Sequence, residues 1–335
     1  MTKKGDYIVL LDPALQDNNG AASRNLGDLI ISESVVEILS ELFPSKQIVR
    51  ISTHVEIELT RRRQINDAFL SFIGGTNLIT SDICGYRQFV VRNGKLVWLF
   101  PGVKKLILLG CGWGVGYGNP MHFKTKFFYH RILHPGFIHS LRDQYSAGKL
   151  QQEAGIHSMN TSCPTTWNLQ HNQSGPVNFN NVCLFTLTDY NTNVLADDTL
   201  LMIILKYFTK IVFFPQGAMD MDYLKTLPTY KRSKAKIDIL PHNYKLFREF
   251  ISTSSLTYVG TRLHAGIKCI ECKHKSIIIT IDNRAEEIAK DILLPVCSRL
   301  DYSTLTDWLN GEPLFNQRFR IPFQAISEWK KQFLS

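Results

Sequence analysis

Along the chain, short apolar runs of β-favouring residues alternate with longer stretches in which apolar residues recur at helical spacing. Residues 7–11 (YIVLL) predict the first strand. A polar, glycine-containing loop follows to about residue 25. From Asp28 onward, Leu29, Ile30, Val35, Val36, Ile38 and Leu39 mark the apolar face of a helix. Residues 48–51, 68–73 and 106–109 predict further strands, the last two stopping at Gly74-Gly75 and at Gly110. Residues 137–141 and 159–161 predict two short strands with a helix over 143–153 between them. The polar stretch 169–177 (LQHNQSGPV) reads as a linker. Beyond it the alternation restarts, with strands over 182–187, 211–214, 256–259 and 277–281 and helices over 199–208, over 244–252 and from Leu263. Strands that alternate with helices and stop at glycine predict parallel βα units. Two such rounds predict an α/β chain of two doubly wound, Rossmann-like domains facing a cleft, a glycosyltransferase-B-like architecture. The expected boundaries are 1–172 and 173–335.

A chain of 335 residues is long for one hydrophobic core, which agrees with two domains. Hydrophobic residues at 44% and charged residues at 20% exclude a disordered chain. No apolar run approaches bilayer-spanning length, and the first residues lack a signal-peptide core, so a cytoplasmic location is expected. The net charge of +9 points to an anionic partner. Its Lys and Arg lie in short clusters without an RNA- or DNA-binding fingerprint, so nucleic acid is not expected. Phosphorylated small molecules or acidic lipid headgroups fit the charge as well. Seven scattered cysteines argue against a disulfide framework. Cys269 and Cys272, with His274 behind them, lack the second ligand pair that zinc needs, and no metal is expected.

Candidate chemistry gathers where strands end, since ligands of open parallel sheets bind at the carboxyl ends of strands. Asn25-Leu26-Gly27-Asp28 lies between the first strand and first helix, where Asp28 is placed to cap the helix. Gly75 and the glycine-rich turn from Gly110, which carries Trp113 and Tyr117, allow a ligand to approach the backbone. Neither the dinucleotide spacing nor a P-loop is present. Arg142 opens a helix, with an ion pair or an anionic ligand as its alternatives. Gln216 ends a strand in the second half. Thr261, Arg262 and His264 follow another strand, with Thr261 as the expected N-cap. There Arg262 is placed to grip a carboxylate or phosphate and His264 to move a proton near neutral pH. The bland alternative is a salt-bridged arginine and a histidine satisfied in the core.

The order of these segments resembles the polysaccharide pyruvyl transferase family. It rests on NLGD (25–28), Gly74-Gly75, the turn from Gly110, SLRD with Ser146, Cys163-Pro164, FFPQG (213–217) and, most specifically, RLHAGI (262–267). The resemblance implies transfer of a pyruvyl group from phosphoenolpyruvate to a sugar of a surface polysaccharide or its lipid-linked precursor, forming a cyclic ketal. Phosphoenolpyruvate is then a donor substrate, and no cofactor is implied. On that reading His264 is the acid, and Asp28 binds or deprotonates the acceptor. Arg262, Gln216 and Thr261 hold the donor from the C-terminal side, and Arg142 supplies a second donor-binding cation. Asn25, Gly75, Trp113 and Tyr117 meet the acceptor on the N-terminal side. An acidic, lipid-pyrophosphate-linked acceptor implies salt-sensitive contact with the inner membrane face, and a homo-oligomer is compatible. The alternatives are a nucleotide-sugar glycosyltransferase and a non-catalytic binding protein on the same fold.

Overall fold

The computed structural model describes residues 5–84, 102–169, 180–312 and 318–334. Apart from Leu169, the expected linker and its Gly/Pro pair lie outside them. The chain forms two compact units, one of Met1–Ser23, Ile31–Trp167 and Ile321–Ser335, the other of Arg24–Ile30 and Asn168–Arg320.

The first unit begins with β1 (Tyr7–Asp12) and α1 (Leu26–Leu42), whose first turn belongs to the second unit. It continues with β2 (Gln47–Ser52), α2 (Leu59–Asp67), β3 (Ser71–Gly74) and β4 (Leu106–Leu109). After α3 (Phe123–Ile132) come β5 (His139–Leu141), α4 (Gln144–Ala154) and β6 (Ser158–Asn160). Its sheet runs β2-β1-β3-β4, all parallel. Every residue of β1 is buried, as both faces of a central parallel strand are covered. The parallel pair β5-β6 is fixed beside the end of β4, where Gly110 N–H donates to the Ser140 carbonyl.

The expected strand from residue 68 begins only at Ser71, because α2 runs to Asp67 and Ala68 caps it. The apolar spacing does not mark α2, which is almost wholly polar, or α3, which is apolar on two sides. The Gly75 backbone is left-handed (φ 63°), and a Cβ there would stand 2.1 Å from Ile31 Cγ2, so this glycine lets the turn pack closely against α1.

Buried His139 in β5 sets a pH response. Its Nδ1 accepts the Leu108 N–H at 3.2 Å, which requires a neutral ring, and burial lowers its pKa to about 4. The unfolded chain takes up that proton near pH 6.5, so stability is full above 6.5 and falls as pH drops from there toward 4. The expected loss is about 3 kcal/mol. Chemical denaturation across this range should show it, and His139→Asn, which keeps an acceptor but does not titrate, should flatten the profile.

The second unit holds β7 (Val182–Thr186), α5 (Val194–Tyr207), β8 (Lys210–Phe213), α6 (Asp220–Leu224), α7 (Pro228–Ser233) and β9 (Ile237–Ile239). Then come α8 (Tyr244–Thr253), β10 (Thr257–Gly260), α9 (Leu263–Glu271), β11 (Lys275–Thr280), α10 (Asn283–Ile292), β12 (Val296–Ser298) and α11 (Ser303–Leu309). The sheet order is β12-β11-β10-β7-β8-β9, all parallel. The order reverses between β7 and β10, adjacent strands whose connections run to opposite sides. Such a reversal is where ligands of open α/β sheets bind.

The final helix, α12 (Phe323–Lys331), belongs to the first unit, although residues up to 335 were expected in the second domain. Its Trp329 is fully buried, with ring centroids 6.5 Å from Phe72 and 6.1 Å from Trp167. Burial of that large ring accounts for the return. Among the described residues no helix is long and apolar enough to cross a membrane.

Candidate active site

In the second unit, four sequence-distant segments meet at the β7–β10 reversal. Gly260 ends β10 so close to β7 that a Cβ would stand 2.3 Å from Thr186 Oγ1. Arg262 N–H donates to that hydroxyl at 3.2 Å, and the Tyr258 hydroxyl donates to the Arg262 carbonyl at 2.7 Å. Arg262, not Thr261, is the N-cap of α9, and it offers no side-chain cap. Thr261 Oγ1 is instead buried against Thr188 Oγ1 at 2.8 Å, so the residue expected to cap the helix is a link between the two strand ends.

The Arg262 side chain turns back along the cluster. Its Nε donates to Asp220 Oδ2 at 3.0 Å and to the Leu187 carbonyl at 3.1 Å. Nη2 donates to Asp189 Oδ1 at 3.0 Å and to Asp220 Oδ1. A Cβ on Gly217 would lie 2.1 Å from Nη2, so the glycine of the PQG turn makes room for the guanidinium. Asp220 also accepts the Gly217 N–H, and burial raises its carboxyl above the ordinary aspartate value against the pull of Arg262. The open cation expected here is therefore a buried ion pair, because two carboxylates take its fork. Sequence reasoning missed Asp189 and Asp220. An aspartate three residues after a strand-ending glycine was the available signal, but only folding pairs it with Arg262. Tyr190, also missed, lies with its ring 5.3 Å from Arg262 and 5.2 Å from Arg284.

The NLGD segment joins the same cluster. Leu26 N–H donates to the Gln216 carbonyl at 2.9 Å, and Asn25 bridges to Gly217. Asn25 Oδ1 accepts from Gln216 Nε2 and from Gly27 N–H, each at 3.2 Å, while its Nδ2 donates to Asp28 Oδ1 at 3.2 Å. Asn25 thus tethers the start of α1, and Asp28 sits inside the first turn rather than capping it. Gln216 is buried, and its Oε1 finds no hydrogen-bond partner among the described residues. His264 lies in the first turn of α9, buried beside the cluster's arginine in sequence.

In the first unit, the glycine-rich turn closes over Arg142. This side chain follows β5 directly and is 2% exposed. Its only ion-pair contact among the described residues is Nε to Asp143 Oδ2 at a long 3.4 Å, and Nη2 has no hydrogen-bond partner among them. Asp143 meanwhile caps α4, accepting the Ser146 N–H at 2.7 Å. A Cβ on Gly112 would stand 2.1 Å from Arg142 Nε, so Gly112 is what permits the guanidinium to lie there. Burial pushes the neighbouring Cys111 thiol up to about 12 and raises Cys163 too, against the pull of Arg142. Neither thiol is available as a thiolate nucleophile.

Trp113 does not offer a stacking platform for a sugar. Its ring is fully buried in the first unit's core, edge-on to Tyr145 at 6.0 Å. Tyr117 remains exposed and packs on Tyr145 at 4.3 Å. A separate groove of about 880 Å³ at the ends of β1 and β2 is lined by Asp17, Asn18, Asn19 and residues 55–62. None of the expected site residues lines it. Among the described residues no group of three His, Cys, Asp or Glu could hold a metal ion. Burial raises both Cys269 and Cys272, and His274 Nε2 lies 2.6 Å from the Ile251 carbonyl.

Two doubly wound units with polar clusters at their strand ends define a glycosyltransferase-B-like fold. The UDP-GlcNAc 2-epimerase of Methanocaldococcus jannaschii, in complex with UDP-GlcNAc and UDP, is similar in structure with a TM-score of 0.52 and 11% identity, over 97% of this chain and 99% of that one. The UDP-N-acetylglucosamine 2-epimerase of Rickettsia bellii is similar with a TM-score of 0.50 and 10% identity, over 99% and 95%. At these identities the likeness is one of fold. No curated protein matches the sequence. The family model for polysaccharide pyruvyl transferase matches residues 25–283, and the chain belongs to that family.

Proposed function

We propose that this protein transfers the pyruvyl group of phosphoenolpyruvate to two hydroxyls of a sugar. The observation that carries this reading is Arg142, a buried guanidinium at the start of α4 with a donor unmet among the described residues. A cation held ready beside helix-start amides suits a small donor bearing both a carboxylate and a phosphate. Arg142 takes the role first expected of Arg262, whose fork is engaged by Asp220 and Asp189.

The reaction needs a proton on the donor's methylene carbon, which leaves the adjacent carbon electrophilic. Two sugar hydroxyls add to that carbon and the bond to phosphate breaks. One hydroxyl proton balances the new methyl group, and the other leaves with phosphate. His264, on the first turn of α9, is the proposed acid. Gln216 Oε1 is a buried acceptor suited to a hydroxyl of the acceptor. Asp28, tied to Asn25, keeps a carboxylate near the same turn.

The test is phosphate release from phosphoenolpyruvate in the presence of lipid-pyrophosphate-linked or free sugars, with the ketal read by mass. Thermal shifts with phosphoenolpyruvate and with a panel of nucleotide sugars are run alongside. Stabilisation by phosphoenolpyruvate and sugar-dependent phosphate release are expected. Stabilisation by a nucleotide sugar alone, without phosphate release, would transfer the reading to glycosyl transfer on the shared fold.

A further inference from the structure

Along the sequence, the excess of basic residues falls in one stretch. Residues 83–142 contain nine of the 38 Lys and Arg residues and none of the 29 Asp and Glu residues, leaving 29 of each sign elsewhere. Within this stretch lies α3, which is apolar on two sides. Its inner side, Thr125, Phe128, Tyr129 and Ile132, is buried in the first unit. Its outer side carries Phe123 and Phe127, one turn apart and 62% and 39% exposed. Lys124, Lys126, His130 and Arg131 flank these rings, exposed or half-exposed.

The glycine-rich turn extends the same surface. Ser81 donates its N–H to the Val115 carbonyl at 3.2 Å and accepts the His122 N–H at 2.9 Å, so one residue fixes both the turn and the start of α3. Val115 and Tyr117 on that turn are 56% and 41% exposed. The carboxylate that approaches from α4, Glu153, is held by Lys149 at 3.0 Å and by the Met121 N–H, with Lys126 also lowering its pKa. Asp82, an exposed carboxylate next to Ser81, accepts the Cys84 N–H at 2.9 Å, and around it the surface is aromatic and cationic.

We propose that the outer side of α3, with the Val115–Tyr117 turn, docks on a bilayer surface rich in anionic lipid. Exposed rings between basic side chains match the boundary of headgroups and acyl chains, where the rings reach inward and the cations meet phosphates. A protein partner would have to supply acidic groups at every rim position, whereas an anionic leaflet supplies them continuously. The surface is assigned independently of the reaction: vesicle binding without phosphate release would sink the reaction and leave the docking intact.

Co-sedimentation of the full chain with phosphatidylcholine vesicles, with and without phosphatidylglycerol, tests the proposal. Binding only to the anionic vesicles is expected, weakening as salt is raised because the Debye length shortens. Lys124→Ser with Arg131→Ser should weaken binding tenfold or more, as each charge near an anionic surface contributes appreciably. Phe123→Ser with Phe127→Ser should weaken it at fixed charge. Leu59→Ser with Phe69→Ser, exposed apolar sites outside the surface, should leave it unchanged. Thermal melts check each variant, and the single substitutions Lys124→Gln and Arg131→Gln replace any pair that melts early. Absence of binding by the wild type, equal binding to neutral vesicles, or full binding by the charge variants overturns the proposal. So does a dimer in solution that Phe123→Ser with Phe127→Ser dissociates while vesicles stay unbound, which would give this surface to a second copy.

Discussion

Arg262→Ala should destabilise the protein by about 3–5 kcal/mol, the usual result of removing one partner from a buried ion pair. Asp220 is fully buried and accepts from both Nε and Nη2 of Arg262. Truncating the arginine leaves that carboxylate without its counter-charge, and burial already favours its neutral form. Arg262→Lys should recover little, because a single ammonium cannot reach Asp220, Asp189 and the Leu187 carbonyl together. Asp220→Ala should fall in the same range, and the double variant Arg262→Ala with Asp220→Ala should lose much less than the sum of the two single losses. Urea denaturation of the four proteins gives the coupling directly. If Arg262→Ala instead kept its stability and lost affinity for phosphoenolpyruvate, the arginine would be the donor's grip after all.

Residues that repeat a pattern were legible in the sequence, and residues that act through a partner far along the chain were not. The all-apolar strands at 106–109 and 7–11 fold as read because parallel strands buried on both faces need no polar alternation. Helix α5 begins at Val194, earlier than the apolar spacing indicates, because Asn193 accepts the Ala196 N–H and starts the helix through a polar turn. The strand-end segments at Asn25, Gln216 and Arg262 were all singled out, and they do meet in the second unit. What each side chain does there was hidden. No local rule distinguishes an arginine open to a ligand from one facing an aspartate 42 residues earlier in the chain. Trp113 shows the same limit: a tryptophan in a glycine-rich turn reads equally as a ring that stacks on a sugar or one that packs, and the structure packs it, with Ser146 Oγ accepting its backbone N–H and α4 covering its ring.

Arg142→Met should lower kcat/KM for phosphoenolpyruvate by about a hundredfold to a thousandfold, with Arg142→Lys little better, since losing a buried charged contact to a ligand typically costs about 2–5 kcal/mol. The fold should largely survive, because among the described residues Arg142 holds only a long 3.4 Å contact to Asp143 while Asp143 caps α4 without its help. Gly112→Ala provides an independent arm: its new Cβ would fall 2.1 Å from Arg142 Nε and must displace the guanidinium while leaving the charge in the chain. It should therefore lose donor affinity in parallel with Arg142→Met. His264→Ala should behave differently, cutting turnover by about a hundredfold or more while donor binding persists, as expected when a proton donor is removed from an intact binding site. Calorimetric titration with phosphoenolpyruvate and phosphate-release rates on the same samples separate the two effects. Normal donor binding in both Arg142→Met and Gly112→Ala would remove Arg142 from the donor site. Normal turnover in His264→Ala would leave the methylene carbon without its proposed acid.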